Sequence, residues 1–307
     1  MKRALWVLEA ACIIILAIPL AIMPTTVSLK TGKMLGIVLF YLWGSRRKTA
    51  LNNLKEAVSS GGLEITETPD RIIQTLFQNL GKGFAEVIKI YFGLGRNIIE
   101  SVTFEGIEHF QTARSKRKGV LFITGHCGNW ELLAIASARK LSPVSVVARA
   151  MNNPYLNRVI EKARRTHGNR IIYKKAALKN ILRALRSNEA IGILMDQAVL
   201  AREGFVIDFL GRGAWTTKMP ALIARKTGAA VLPAFIHRTE YGHIIRIFPE
   251  VQLSHEDDKE EQLKKDTKKF SSYVEEYIQQ YPSEWLWIHR RWKRVKGPKN
   301  RSAGSHL

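Results

Sequence analysis

The sequence predicts an α/β protein behind an N-terminal apolar anchor, and three observations predict it. Short apolar runs rich in β-branched residues (Val120–Thr124, Pro143–Arg149, Ala190–Met195) end in turn or ionisable residues and alternate with longer amphipathic stretches. That is the pattern of buried sheet strands and the helices that cover them. The first 45 residues are largely apolar. Finally, 48 Lys+Arg against 26 Asp+Glu give a formal net charge of +22, which calls for an anionic partner, either nucleic acid or an acidic membrane surface. At 307 residues the chain can bury a sizeable core, as one large domain with an appendage or as two small ones. Two cysteines, Cys12 and Cys127, are too few for a disulfide framework and fit a reducing compartment; no metal-ligand spacing appears.

Leu5–Met23 is apolar, broken by Glu9 and Pro19 and preceded by Lys2 and Arg3. Its length is marginal for a span, which needs roughly 20 residues. A signal peptide would share the basic start and apolar centre, but Pro24-Thr25-Thr26 is no small-residue cleavage site, and a second apolar stretch follows at once. That stretch, Met34–Trp43, is too short to span and runs into Arg46, Arg47 and Lys48, the composition of an interfacial anchor. Residues 1–45 therefore read as a membrane anchor, spanning once or lying in the interface.

From Lys48 to Phe92 the pattern is helical, with one apolar face on Ala50, Leu51, Leu54 and Ala57 and another running from Ile72 through Phe84 to Tyr91; Ser59–Gly62 separates the two. Val102–Phe104 reads as a short strand and Arg114–Lys118 as a basic loop, either a solvated charge run or a membrane- or phosphate-facing one.

Gly119–Glu131 is the chemically richest stretch. The strand Val120–Thr124 ends at Gly125 and delivers His126 to its carboxyl end, where open α/β sheets place their sites. Asn129 is the expected N-cap of a helix Glu131–Lys140. With the chain turning between them, Glu131 can fold back onto His126 as the orienting acid of a general base. A loop histidine beside a glutamate that merely favours the helix dipole fits the same residues. Cys127 as a thiol nucleophile is disfavoured, because adjacent loop side chains rarely point at each other.

Next come a strand ending in Arg149, a helix Pro154–His167 bearing Arg158, Lys162, Arg164 and Arg165, a short strand at Ile171–Tyr173 and a helix Leu178–Arg186. The strand Ala190–Met195 then ends in Asp196-Gln197. Three strands thus present His126, Arg149 and Asp196 at one end, which a bland core does not repeatedly do. Arg149 and Asp196 as a structural ion pair is the alternative. Phe205–Phe209 and Ala230–Ile236 are strands, with Gly211, Gly213 and Thr216-Thr217 turning the chain between them. A helix Met219–Lys226, an edge strand His243–Phe248 and a long helix Leu263–Tyr281 follow. In Trp285–Arg294 tryptophans interleave with cations, which suits stacking on bases or a lipid interface. Residues 297–307 read as a disordered tail.

These segments together resemble a known family, the lauroyl and myristoyl acyltransferases of lipid A biosynthesis. The resemblance lies in the His126…Glu131 turn, Arg46-Arg47…Asn52-Asn53-Leu54, Arg149…Asn153-Pro154, Asp196-Gln197…Phe209-Leu210-Gly211 and Trp285–Trp292, in order across residues 40–295. It implies a glycerolipid-acyltransferase-like fold, a mixed central sheet flanked by helices over residues 46–296, on the membrane anchor. It also implies the chemistry: His126, oriented by Glu131, deprotonates an acceptor hydroxyl that attacks an acyl thioester. Arg149, Asn129, Asp196, Gln197 and Arg164 are the expected substrate-binding or oxyanion residues. Arg46, Arg47, Trp287, Arg290 and Arg291 are the expected membrane or carrier contacts. The implied partners are an acyl carrier protein or acyl-CoA donor, a glycolipid acceptor and an anionic membrane surface, with no cofactor, no metal and no nucleic acid. The implied location is the bacterial inner membrane, catalytic domain on the cytoplasmic face. Ala198–Gly204 lacks the glycine-rich reading of the lauroyl and myristoyl enzymes, so acyl transfer to another glycolipid or a lysophospholipid, such as a phosphatidylinositol mannoside, and a non-catalytic basic lipid-binding protein are the alternatives.

Overall fold

The computed structural model describes residues 2–173, 177–293 and 295; the expected tail 297–307 and Arg294 lie outside them. Two apolar helices come first, α1 (Lys2–Ile22) and α2 (Thr25–Leu42), followed by α3 (Gly44–Ser59) and the long α4 (Pro69–Tyr91). Thr68 starts α4 by accepting the Arg71 N–H, with Pro69 in the first turn. Then come α5 (Arg96–Glu100), β1 (Val102–Glu105), α6 (Ile107–Ser115), β2 (Val120–Thr124), α7 (Trp130–Lys140), β3 (Val144–Ala148) and α8 (Pro154–Thr166). The chain continues through β4 (Arg170–Tyr173), α9 (Ala177–Arg186), β5 (Ala190–Leu194), β6 (Gly204–Phe209), β7 (Arg212–Thr217), α10 (Met219–Thr227), β8 (Ala230–Arg238), β9 (His243–Ile247) and α11 (Lys259–Gln280).

Seven strands form one sheet in the order β1-β9-β8-β2-β5-β3-β4. It is mixed: β8, β2, β5, β3 and β4 run parallel, and β9 turns antiparallel to β8 and carries β1 parallel to itself. The central strand β2 is wholly buried, and its alternate side chains feed two cores. Leu121 and Ile123 face one, with α3, α4, α10 and α11; Val120 and Phe122 face the other, with α6 and α7. Because β2, β3 and β5 are parallel and adjacent, the residues that follow them emerge at one end of the sheet. The basic stretch Arg114–Lys118, expected as a loop, begins inside α6, which runs to Ser115; it precedes β2 and so lies at the opposite end.

Several expectations change. Gly213 and Thr216-Thr217, expected to turn the chain, lie in strand β7, paired antiparallel with β6 from Gly204↔Thr217 to Phe209↔Arg212. The turn is Leu210-Gly211 alone, both with positive φ, the geometry a two-residue hairpin needs. The strand expected at the edge, His243–Phe248, lies inside it, because β1 returns to pair on its outer side. Phe84, expected on the apolar face of α4, is 57% exposed.

The second apolar stretch is no loose anchor. α2 lies along α4 with Ser28, Gly32, Gly36 and Phe40 inward. A Cβ on Gly81 would sit 2.0 Å from the Gly32 carbonyl oxygen, and one on Gly36 would sit 2.1 Å from that of Phe77. Only glycine lets the two backbones approach so closely. α1 packs Ala17, Leu20 and Ala21 on Ala85 and Ile88 of α4. It is bonded to the body at both ends. Lys89 Nζ donates to the carbonyls of Ala21 (2.8 Å) and Met23 (2.6 Å), and Asn153 Nδ2 donates to the Trp6 carbonyl (2.9 Å) and Glu9 Oε2 (3.0 Å). The outer face of the pair exposes Leu5, Leu8, Leu16, Ile22, Met34, Leu35, Tyr41 and Leu42. Among the described residues one helix, over 3–22, is long and apolar enough to cross a membrane.

The aromatic-basic segment after α11 corrects another expectation. Trp285, Trp287 and Trp292 are core residues and Arg291 is fully buried, so Trp287 and Arg291 touch neither membrane nor carrier. Arg291 is accommodated because it donates to the Trp215 carbonyl (2.7 Å) and the Thr216 hydroxyl and lies 4.5 Å over the Phe209 ring. Arg290 is exposed. Arg46 and Arg47 are half-buried, over the rings of Trp43 and Phe40.

Candidate active site

His126 follows β2 and Asp196 follows β5, and neighbouring parallel strands bring them together. His126 Nδ1 lies 2.8 Å from Asp196 Oδ1, and the His126 backbone N–H donates to Oδ2 at 3.0 Å. The Trp285 indole N–H donates to the same Oδ2 at 2.8 Å. Burial alone would raise the Asp196 carboxyl, but the adjacent imidazole and these N–H donors hold it well below the usual carboxylate range. An ionised carboxylate only accepts, so Nδ1 carries a proton, and in the neutral imidazole the lone pair is then on Nε2. Nε2 faces a cavity, 3.1 Å from the Gln197 side-chain nitrogen.

The carboxylate on His126 is therefore Asp196, and the expected His126–Glu131 pairing is corrected. α7 points Glu131 along the cavity wall toward α8. There Arg164 grips it with two hydrogen bonds, Nε to Oε1 at 2.6 Å and Nη2 to Oε2 at 2.8 Å. The Tyr91 hydroxyl donates to Oε1 at 2.5 Å. Burial and the Glu131 charge push the Tyr91 phenol up, so it stays a donor. A bidentate guanidinium plus a phenol satisfies this carboxylate with no call on the imidazole.

Asn129, expected to touch substrate, is instead buried and committed. Its carbonyl caps α7 through the Leu132 N–H (3.1 Å), and its amide donates to Glu86 Oε2 (2.8 Å). Glu86 is 2% exposed and is held by Arg238 at 2.6 and 2.7 Å. Burial disfavours the Glu86 charge, but Arg238, His243 and Asn129 together keep its carboxyl below the ordinary value. This network fixes the floor of the turn. Gly128 meets the requirement for φ +54, where a Cβ would also strike the Ile236 carbonyl. Cys127 is 1% exposed and its thiol is pushed up by burial, then by Asp196 and Glu284. A buried thiol held in its protonated form is a weak nucleophile.

The cavity measures about 800 Å³. His126, Gln197, Glu131, Arg164 and Arg149 are among its polar lining residues, with Glu161, Glu203 and Lys218 adding further charge; Val146, Ile160, Ile171, Leu178, Leu194, Met219 and Leu222 are among its apolar walls. Of the expected site residues, His126, Asp196 and Gln197 meet at one point, Glu131 and Arg164 meet at another, and Arg149 lines the same cavity from the end of β3. Among the described residues no group of three or more His, Cys, Asp or Glu comes together as a metal site. Tyr91 and Trp285 carry site contacts the sequence did not signal. Tyr91 looked like one more apolar position on α4, and Trp285 like part of an interfacial belt.

The family model for bacterial lipid A biosynthesis acyltransferases matches residues 3–294. The lipid A biosynthesis lauroyltransferase of Escherichia coli K12 is 25% identical over 276 residues, 88% of this chain and 87% of that protein. The palmitoleoyltransferase of the same pathway and strain is 24% identical over 249 residues, covering 78% and 79%. The phosphatidylinositol mannoside acyltransferase of Mycolicibacterium smegmatis is 22% identical over 230 residues, 74% of each chain. Among solved structures, the 1-acyl-sn-glycerophosphate acyltransferase PlsC of Thermotoga maritima aligns with TM-score 0.37 and 16% identity, covering 80% of this chain and 96% of that one.

Proposed function

The chain belongs to the family of bacterial lipid A biosynthesis acyltransferases and is an acyltransferase, and we propose that it moves an acyl chain from a thioester donor to a hydroxyl of a lipid A precursor with His126 as general base. The observation that carries this reading is the Asp196-backed imidazole, which turns its unprotonated Nε2 into a cavity with both polar and apolar walls. An acceptor hydroxyl replaces the Gln197 amide at Nε2 and gives up its proton as its oxygen attacks the thioester carbonyl. Asp196 stabilises the imidazolium that forms. The new C–O bond closes, the C–S bond breaks, and the imidazolium returns its proton to the departing thiolate. Arg149, on the cavity wall, is the candidate for the tetrahedral oxyanion. The Glu131–Arg164 pair shapes the polar wall beside it, and the apolar walls take the acyl chain. The donor is acyl-acyl carrier protein, whose acidic carrier suits a net charge of +22.

Purified enzyme with acyl donor and lipid A precursor provides the test. His126→Ala should lower turnover by about 10²–10⁴ with folding intact; retention of half the wild-type rate overturns the assignment. The mannoside acyltransferase relative favours a second acceptor class, other glycolipids, at nearly the same identity. Mass spectra of glycolipids from cells with and without the gene distinguish the two.

The exposed apolar faces of α1 and α2 seat the enzyme on the cytoplasmic leaflet of the inner membrane. α1 is bonded to the same body at both ends, and this supports a helix lying in the interface over one that spans. With the exposed Cys12 replaced by serine, an Arg3→Cys side chain should therefore react with an impermeant maleimide only from the cytoplasmic side, and labelling from outside refutes the interfacial placement.

A further inference from the structure

Two stretches have no part in the transfer as written: Arg46 to Asn53 on α3, and the segment Trp285–His289. They meet. The two N–H bonds of Asn53 Nδ2 go to the carbonyls of Trp287 and His289, both at 2.8 Å, and Arg46 Nη1 donates to the Ile288 carbonyl at 3.3 Å. The segment, with the adjoining Glu284, is laced to the His126 turn at two points and to Asp196 at a third. The Gly128 N–H donates to the Glu284 carbonyl (2.8 Å), the Leu286 N–H to the His126 carbonyl (3.1 Å), and the Trp285 indole N–H to Asp196 Oδ2 (2.8 Å). Trp285 is 1% exposed and packs between Phe209 and Trp287, with ring centroids at 5.6 and 4.6 Å.

We propose that Trp285 is a positioning residue for the His126–Asp196 pair, with Asn53 and Arg46 as the clasp that keeps the Trp285–His289 segment in place. The proposal rests on His126 being the general base. A carboxylate can rotate about its last torsion, so Oδ1 faces Nδ1 only while Oδ2 is pinned. Two donors pin Oδ2, the His126 backbone N–H and the Trp285 indole. The first moves with the loop it should fix; the second comes from a separate, buried element. Removing the indole N–H leaves a buried charged oxygen short of one partner, while the imidazole and cavity lose nothing they contact directly. Asn53 acts one step further back, since both its donors are used on the segment's backbone.

The test is Trp285→Phe, which keeps an aromatic ring and loses the N–H. Turnover should fall on the order of tenfold with the KM values for donor and acceptor changed by no more than about twofold, the signature of an interaction that matters in the transition state. The downfield Nδ1 proton resonance of His126 should shift or broaden. Asn53→Leu, remote from the cavity and nearly isosteric, should give the same pattern and serves if Trp285→Phe does not fold. Wild-type turnover and an unmoved resonance in either folded variant overturn the proposal. So does a loss of activity that merely follows the folded fraction. His126→Ala separates the two readings. If it keeps turnover, the general-base reading fails; if it is inactive while both positioning variants behave as wild type, only the present proposal fails.

Discussion

The sharpest consequence of the geometry is that Asp196→Asn should cost more turnover than Glu131→Gln. Asp196 is 3% exposed and accepts three N–H bonds, one from His126 Nδ1 on Oδ1 and two, from the His126 backbone and Trp285, on Oδ2. An asparagine amide has one oxygen and one NH₂ for those two places. With NH₂ at the Oδ2 place it opposes two donors; with NH₂ at the Oδ1 place it opposes one. The second orientation wins, and its N–H bonds then require an unprotonated Nδ1. The ring proton moves to Nε2, which removes the basic lone pair from the cavity. In serine-protease triads this wrong-tautomer effect costs about 10⁴, so about 10³–10⁴ is expected here, equivalent to ~4–5.5 kcal/mol of barrier. Glu131→Gln leaves the His126–Asp196 pair untouched and weakens one charged bidentate contact to Arg164, for a loss on the order of tenfold shared between kcat and KM. Steady-state acyl transfer by the purified variants, with thermal melts as control, measures both. Asp196→Asn retaining more than about a tenth of wild-type turnover, or Glu131→Gln proving the slower variant, refutes the reasoning.

Cys127→Ala should remain active, and intact-mass spectra taken during turnover should show no acyl adduct, because the thiol is buried and pushed up; an adduct there overturns single displacement. Gly81→Ala places a Cβ against the Gly32 backbone and should destabilise the protein by roughly 1–3 kcal/mol or more, read as a fall in melting temperature; an unchanged melt means α2 is not clasped to α4. Burial, only partly offset by Glu86, lowers His243 from 6.5 to about 4. The native state thus binds fewer protons than the unfolded chain between those values. Stability from this group is full above pH 6.5 and is lost as pH falls toward 4, by at most about 3 kcal/mol. In urea titrations the stability of wild type relative to His243→Leu should fall by that much as pH drops through this window; a constant difference refutes the burial argument.

The sequence by itself determined what is local. Runs of β-branched residues set the sheet strands, and apolar periodicity set α3, α4 and α11. The ordered motifs set the family. His126, Arg149 and Asp196 were legible as strand-end residues because parallel strands repeat one rule: whatever follows the strand faces the site. Which carboxylate meets the imidazole was not legible. Glu131 is close along the chain, yet a helix start points its side chain at α8, and Asp196 arrives from β5, 70 residues away in sequence. The same limit applies to Trp285–Arg291. Aromatics interleaved with cations suit a lipid interface by composition, and only the surrounding carbonyls and the Phe209 ring make burial of Arg291 affordable. Nor does composition say whether an apolar helix points into lipid or onto protein. For α2 the close Gly32–Gly36–Gly81 contacts make that choice, and they exist only once α4 lies beside it. Periodicity records which face of an element is apolar; what covers that face is a property of the folded neighbours.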